Sequence, residues 1–274
     1  MLLTKASITG LAKCHHLSER EILILLGFIT DKDYTSLFFG DNFQLTEVEF
    51  QRLLEYIERR TQGEPISKII QRKEFYGITF KTCGDTLDPR PETELIVDLF
   101  MKYFSDKAGH YEILDLGAGT GCIGLSILKH YEAARCLFVD IDTKALNMAQ
   151  YNASALSLDH RSSFQESDWF TAISGEYDAI VANPPYIAAD YDLPREVLFD
   201  PRIALVAGGN GMAAHLAILS NAHLFLKKNG RLFLEIGYDQ RAKIEALNNS
   251  LEIMEIAQDI NGIDRALVFL RNLW

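Results

Sequence analysis

From residue 112 onward, short strand-like runs alternate with segments long enough to form helices, and this alternation restricts the chain more than any other feature. The runs read EILDLG, RCLFVDID, SSFQESD, YDAIVA and RLFLEIG, followed close together by EIMEIA and ALVFL. Strands separated by helix-length crossovers pair in parallel through right-handed connections, and helices cover both faces of the sheet. The pattern therefore predicts an α/β fold with a mostly parallel sheet. Ligands in such sheets bind beyond the C-terminal strand ends, where the strand order reverses, so chemistry is expected in the loops that follow strands.

The first ~75 residues read differently. SEREILILLGFI carries Ile22, Leu23, Leu25 and Leu26 on one apolar stripe, and Thr46-x-x-Glu49 is a capping box opening EVEFQRLLEYIERR. These are helical signals, with few strand signals among them. Gly63, Pro65 and Gly77 then punctuate the chain, and EFYGITFKTCG alternates like a short hairpin. A further helix begins at Pro91, which suits the first helical position, with Glu92 and Glu94 in its first turn. The expected organisation is a helical domain over 1–73, a hairpin linker over 74–90 and an α/β domain over 91–274.

Composition narrows the function classes. With 48% hydrophobic and 24% charged residues in 274, the chain can bury a core and is not disordered. No run reaches the ~18 apolar residues of a membrane helix and no signal peptide is visible, so a cytoplasmic protein without membrane association is expected. The net charge of −11 opposes non-specific binding to nucleic acid. Residues 1–80 hold ten Lys and Arg against eleven Asp and Glu, so the acidic excess lies in the α/β part. Cys14, Cys83, Cys122 and Cys136 form no C-x-x-C pair, which predicts reduced, mostly buried thiols and no metal site.

Strand ILDL runs into Gly117-Ala118-Gly119-Thr120-Gly121, with Gly124 at the start of the next helix. A loop of this kind lets backbone amides and a helix N-terminus approach a nucleoside without Cβ clashes. Asp140, 19 positions after Gly121 and at the end of the following strand, can accept two ribose hydroxyls. Gly119-x-Gly121-x-x-Gly124 also satisfies the dinucleotide fingerprint, which keeps a nicotinamide-dependent oxidoreductase in play. Asp115 favours a cationic cofactor by placing an anion near its amino-acid end; the ordinary alternative is a strand-end aspartate bonded to nearby backbone.

After strand YDAIVA comes Asn183-Pro184-Pro185-Tyr186, an odd composition for a sheet, since neither proline can donate to a ladder. The prolines hold the Asn183 side-chain oxygen and the Pro184 carbonyl as paired acceptors, and Tyr186 adds a flat face. Two fixed acceptors suit a planar NH2 group. Such a nitrogen gains positive charge as it attacks a methyl donor, and carbonyl dipoles aimed at it stabilise that charge without a general base. On this reading Asn183→Asp, which keeps an oxygen, is milder than Asn183→Ala.

DLGAGTG, VDID and NPPY in this order resemble class I methyltransferases that use S-adenosyl-L-methionine. Gly63-Glu64-Pro65-Ile66, Glu74-Phe75, Pro89-Arg90-Pro91-Glu92-Thr93-Glu94, Ser167-Asp168-Trp169-Phe170 and Pro201-Arg202-x-Ala204-Leu205 are similar to the HemK/PrmC group, the glutamine N5-methyltransferases of peptide chain release factors. The resemblance implies a Rossmann-like, mostly parallel seven-stranded sheet behind a small helical domain that recognises the protein substrate. It implies that Gly117, Ala118, Gly119, Thr120 and Gly121 line the methionine end of the cofactor and that Asp140 binds its ribose. Trp169, beside Asp168, would border the adenine, Asn183 would touch both cofactor and substrate, and Asn183, Pro184, Pro185 and Tyr186 would receive the glutamine. The implied partner is a release factor met by a monomer. One departure is Asp88, where the group usually carries an aliphatic residue, and it bears on the packing around Arg90. The competing readings are a DNA or RNA adenine N6-methyltransferase, the nicotinamide oxidoreductase and a non-catalytic binding module; the first predicts a basic groove, which the charge opposes.

Overall fold

Capping and burial explain the N-terminal helices. The computed structural model describes residues 2–247 and 250–271. It divides into two compact units, one of residues 1–72 with Pro194–Phe199 and one of 73–193 with 200–274. The smaller unit holds α1 (Lys5–Cys14), α2 (Glu19–Thr30), α3 (Tyr34–Phe39), α4 (Glu47–Thr61) and α5 (Ile66–Ile70). Thr46 and Glu49 exchange the two bonds of a capping box at α4, and Ser18 and Glu21 do the same at α2. Ile22, Leu23, Leu25 and Leu26 are buried and meet Leu53 and Ile57 of α4 in one core. Arg60 pairs with Glu21 at 2.7 Å and with Glu196 at 2.8 Å, within the same unit.

This unit also contains an antiparallel ribbon absent from the sequence reading, β1 (Leu2–Thr4) with β2 (Asn42–Gln44). Three residues are too few to display an alternating period, so the ribbon is a consequence of Leu3 and Phe43 joining the helical core.

The larger unit starts, at Lys73, within the hairpin of β3 (Arg72–Phe75) and β4 (Ile78–Lys81). The hairpin is part of this unit's core, because Phe75 and Phe80 are buried in it. Asn152 clamps it further, accepting from Lys81 N and donating to the Lys81 and Thr120 carbonyls. A 3-10 turn at Pro91–Thr93 leads into α6 (Glu94–Tyr103). Then follow β5 (Glu112–Leu116), α7 (Cys122–His130), β6 (Arg135–Asp140), α8 (Thr143–Ala155), β7 (Ser162–Glu166), β8 (Tyr177–Ala182), α9 (Ala213–Phe225), β9 (Leu226–Glu235), α10 (Arg241–Glu245), β10 (Leu251–Gln258) and β11 (Asp264–Arg271).

All seven expected strands form one sheet in the order β10-β11-β9-β8-β5-β6-β7. β9, β8, β5, β6 and β7 run parallel, and β11 pairs antiparallel with both β9 and β10. Residues of α6, α7 and α8 bury one face of the sheet, and those of α9 and α10 the other. The chain proceeds outward from β5 through β6 and β7, then returns to place β8 on the opposite side of β5. The reversal lies between β5 and β8.

Cys122 and Cys136 are buried, Cys83 is half-buried and Cys14 is exposed, so burial applies to fewer thiols than the composition suggested. No helix among the described residues is long and apolar enough to cross a membrane.

Candidate active site

Strand register assembles the site. Leu116 of β5 pairs with Val139 of β6 on one side and with Ala182 of β8 on the other, and Ala182 pairs in turn with Leu234 of β9. The next residue of each strand is therefore Gly117, Asp140, Asn183 and Glu235, side by side on the C-terminal rim and centred on the reversal point. Asp140 itself pairs with Glu166, which brings Ser167, Asp168 and Trp169 to the same rim.

A cavity of about 330 Å³ opens there, within the range of small-molecule sites. Gly117, Ala118, Gly119, Thr120, Asp140, Asp168, Trp169, Asn183 and Pro185 belong to its wall; Gly121, Pro184 and Tyr186 do not. Gly117, Gly119 and Gly121 all have positive φ, which bends the loop so that Gly119 N donates to Asp140 Oδ2 at 2.9 Å. Asp140 Oδ1 accepts from Asp142 N at 3.0 Å. Each oxygen retains lone-pair capacity for one further donor. Burial raises the Asp140 carboxyl above the usual aspartate range, opposed by these two backbone bonds. Trp169 has φ +48°, a strained value for a bulky residue, and its ring lies against Gly117, where a Cβ would come within 3.7 Å of it.

Asn183 Nδ2 donates to Thr93 Oγ1 at 3.0 Å, and Thr93 Oγ1 donates to Glu235 Oε2 at 2.6 Å. The Tyr186 hydroxyl approaches Glu235 Oε1 at 3.4 Å. Burial pushes Glu235 up to about 7, and burial with the neighbouring Glu235 charge pushes the Tyr186 phenol up. Gln240 fixes the backbone beyond the prolines, donating from Nε2 to the Tyr186 and Gly211 carbonyls and accepting from Gly237 N.

Residues 92–263 match the methyltransferase small domain, and residues 8–70 match the PrmC N-terminal domain. The chain is 37% identical to the release factor glutamine methyltransferase of Agrobacterium fabrum, over 90% of this chain and 89% of that one. This chain belongs to the release factor glutamine methyltransferase family. A second member, from Caulobacter vibrioides, is 37% identical over 84% of this chain and 81% of its own. The fold is shared with the ribosomal protein L11 methylase of Lactobacillus delbrueckii, at 20% identity, a TM-score of 0.51, and coverage of 73% of this chain and 88% of that one.

The cofactor of the family is S-adenosyl-L-methionine, and the cavity fits it. Little stands above Gly119, whose absent Cβ would meet only the Gly117 carbonyl at 4.0 Å, so a ligand can lie on the backbone there. The Asp140 carboxylate borders the same space, with acceptor capacity for a ribose diol.

Asp115 requires a correction. It is 1% exposed and not part of the cavity wall; Oδ2 accepts from Gly124 N at 2.9 Å, and Oδ1 has no hydrogen bond. The local backbone alternative is the one realised: Asp115 ties the start of α7 to β5 beneath the loop. Gly124 is required for that approach, since a Cβ there would lie 2.5 Å from the Phe138 ring and 2.9 Å from Asp115 Oδ2. Burial pushes Asp115 up to about 7, with the Gly124 bond opposing it and Asp140 adding to it.

PRPETE marks the family by sequence, and its side-chain contacts are set by the fold. Asp200 holds this segment, pairing with Arg90 Nη2 at 2.5 Å and accepting from Asp88 N at 3.1 Å. Asp88 is buried at that clasp. Thr93 as the partner of Asn183, and Glu235 as the partner of Thr93, carry no local signal, since the two bonds span 90 and 142 positions. Ile203, between Pro201-Arg202 and Ala204-Leu205 and 55% exposed, also belongs to the cavity wall.

Proposed function

We propose that this protein transfers the methyl group of S-adenosyl-L-methionine to the side-chain amide nitrogen, N5, of a glutamine in a peptide chain release factor, and so tunes translation termination. The supporting observation is the similarity along 90% of the chain to a release factor glutamine methyltransferase, joined to a rim where Asp140 and Asn183 border one cavity. When bound, the cofactor supplies an electrophilic methyl group. Asp140 holds the ribose diol, the glycine loop leaves room for the methionine end, and Trp169 with Asp168 borders the adenine.

The Asn183 Oδ1 and the Pro184 carbonyl accept the two N–H bonds of the glutamine amide and aim its nitrogen at the methyl. They stabilise the charge this nitrogen gains, and the proton leaves afterwards. The reaction belongs in the cytoplasm, where release factors work, and is carried out by a monomer without nucleic acid; the net charge of −11 supports the last point. The smaller unit grips the folded release factor, because one glutamine side chain offers too little surface for selection.

The test is incubation with methyl-labelled cofactor and either release factor or DNA, followed by mass spectrometry. Label on a release factor glutamine is the expected result. Label on adenine instead, or on neither, would overturn the assignment.

A further inference from the structure

We infer that Thr93 and Glu235 are positioning residues that dictate which end of the Asn183 amide faces the substrate. This rests on the function proposed above, in which Asn183 must present an oxygen. An asparagine side chain has two ends of equal shape and opposite polarity, and its partners alone decide which way it points. With the nitrogen turned toward the glutamine NH2, donor would meet donor and the dipole would oppose the charge that develops there.

The hydroxyl of Thr93 has one proton. Thr93 Oγ1 lies 2.6 Å from Glu235 Oε2, and above about pH 7, where Glu235 is ionised, that proton goes to the carboxylate, which then accepts and cannot donate. Toward Asn183, Thr93 then offers only a lone pair. The Asn183 atom 3.0 Å away is consequently the NH2 group, and Oδ1 is the end turned away. A flip of the amide would set Oδ1 against the Thr93 lone pair. The polarity passes from a carboxylate through a hydroxyl to an amide, and each member leaves the next a single orientation.

Packing alone does not call for this carboxylate. Glu235 is 2% exposed at the end of β9, and burying a carboxylate is costly beside the neutral residues that could fill the same volume. Its hydrogen-bond partners are the hydroxyls of Thr93 and Tyr186. A neutral glutamine there could present either a donor or an acceptor to Thr93 and would leave the direction of the Thr93 proton open. What the charge secures is that direction. Thr93, also 2% exposed, stands where the Pro91–Thr93 turn meets the rim, so the PRPETE segment reaches the reacting group through it.

The experiment compares wild type with Thr93→Val, Thr93→Ser and Glu235→Gln at about pH 8.5, above the value to which burial lifts Glu235. Kinetics on release factor, calorimetry with the cofactor, and thermal melting are measured for each. Thr93→Val, of equal volume, should lower kcat by ~10–100-fold, with cofactor affinity within about twofold of wild type. Thr93→Ser keeps the hydroxyl and should recover to within about threefold, and Glu235→Gln should fall between. Exchange of the Asn183 side-chain amide protons, followed by NMR, is independent of turnover: one proton is slowed in wild type and Thr93→Ser and released in Thr93→Val. Unchanged kcat and exchange in Thr93→Val, or a Thr93→Ser variant as impaired as Thr93→Val, would overturn the inference. So would a kcat loss matched by an equal loss of cofactor affinity, which indicates a structural role. If wild type labels adenine instead, the functional assignment fails, while the same variants assayed on adenine still decide the network.

Discussion

Replacing Asp140 probes the cofactor site most directly, because the structure supplies both a magnitude and a pH signature. Its two oxygens each hold one backbone N–H, from Gly119 and Asp142, and each keeps capacity for one ribose hydroxyl. On the proposed ribose contact, Asp140→Ala should weaken cofactor binding by at least the roughly 1.5–3 kcal/mol of one charge-assisted hydrogen bond, or about 10- to 150-fold in Kd. It also leaves two loop amides without an acceptor, so Asp140→Asn, which keeps one acceptor oxygen, is the gentler comparison. Burial raises the Asp140 carboxyl, and ribose hydroxyls donate to its charged form. Cofactor affinity should therefore be highest at high pH and decline as pH falls, beginning above the range of an exposed aspartate; Asp140→Asn should flatten that decline. Calorimetry across pH on folded protein measures both effects. An Asp140→Ala Kd within twofold of wild type would refute the ribose contact and turn attention to Asp142, whose carboxylate accepts from Lys144 N at the start of α8.

Asn183→Ala should lower turnover by ~10²-fold while largely sparing cofactor affinity, as steady-state kinetics with calorimetry would show. Asn183→Asp, mild on sequence reasoning, should do no better than alanine near pH 8.5, since it has no N–H for Thr93 and would set a second carboxylate against the hydroxyl that serves Glu235; near-wild-type turnover would contradict this. Asp115 binds its proton more tightly folded than unfolded, so its cost is absent below about pH 4, grows as pH rises to about 7 and is constant above. Asp115→Asn should accordingly melt higher than wild type at pH 8, by on the order of 4 kcal/mol at most, and equally at pH 4. A chain beginning at Arg72 should keep cofactor binding but lose most methylation of intact release factor; beginning at Gly77 would also remove β3 and buried Phe75, and equal loss on a short glutamine peptide would point to a stabilising role for the smaller unit.

Much of this protein was legible in one dimension because its signals are local. Most of the seven strands carry their own apolar runs, α4 announces itself by Thr46 and Glu49, and a glycine-rich turn or a pair of prolines after a strand restricts the backbone wherever it occurs. Gly119, Asp140 and Asn183 could each be chosen on those grounds. What the local pattern does not contain is which strands become neighbours, since a run has the same period whichever partner it takes. Only the sheet order and register bring residues 117, 140, 183 and 235 to one rim. The same holds for side chains that bond across the fold. Asp115 has the sequence context of a ligand contact yet serves the amide of Gly124, and Asn183, Thr93 and Glu235 become linked in series only because folding brings distant segments together. Hydrogen bonds are decided within about 3 Å, and separations of 90 and 142 positions are closed to that range by tertiary packing alone.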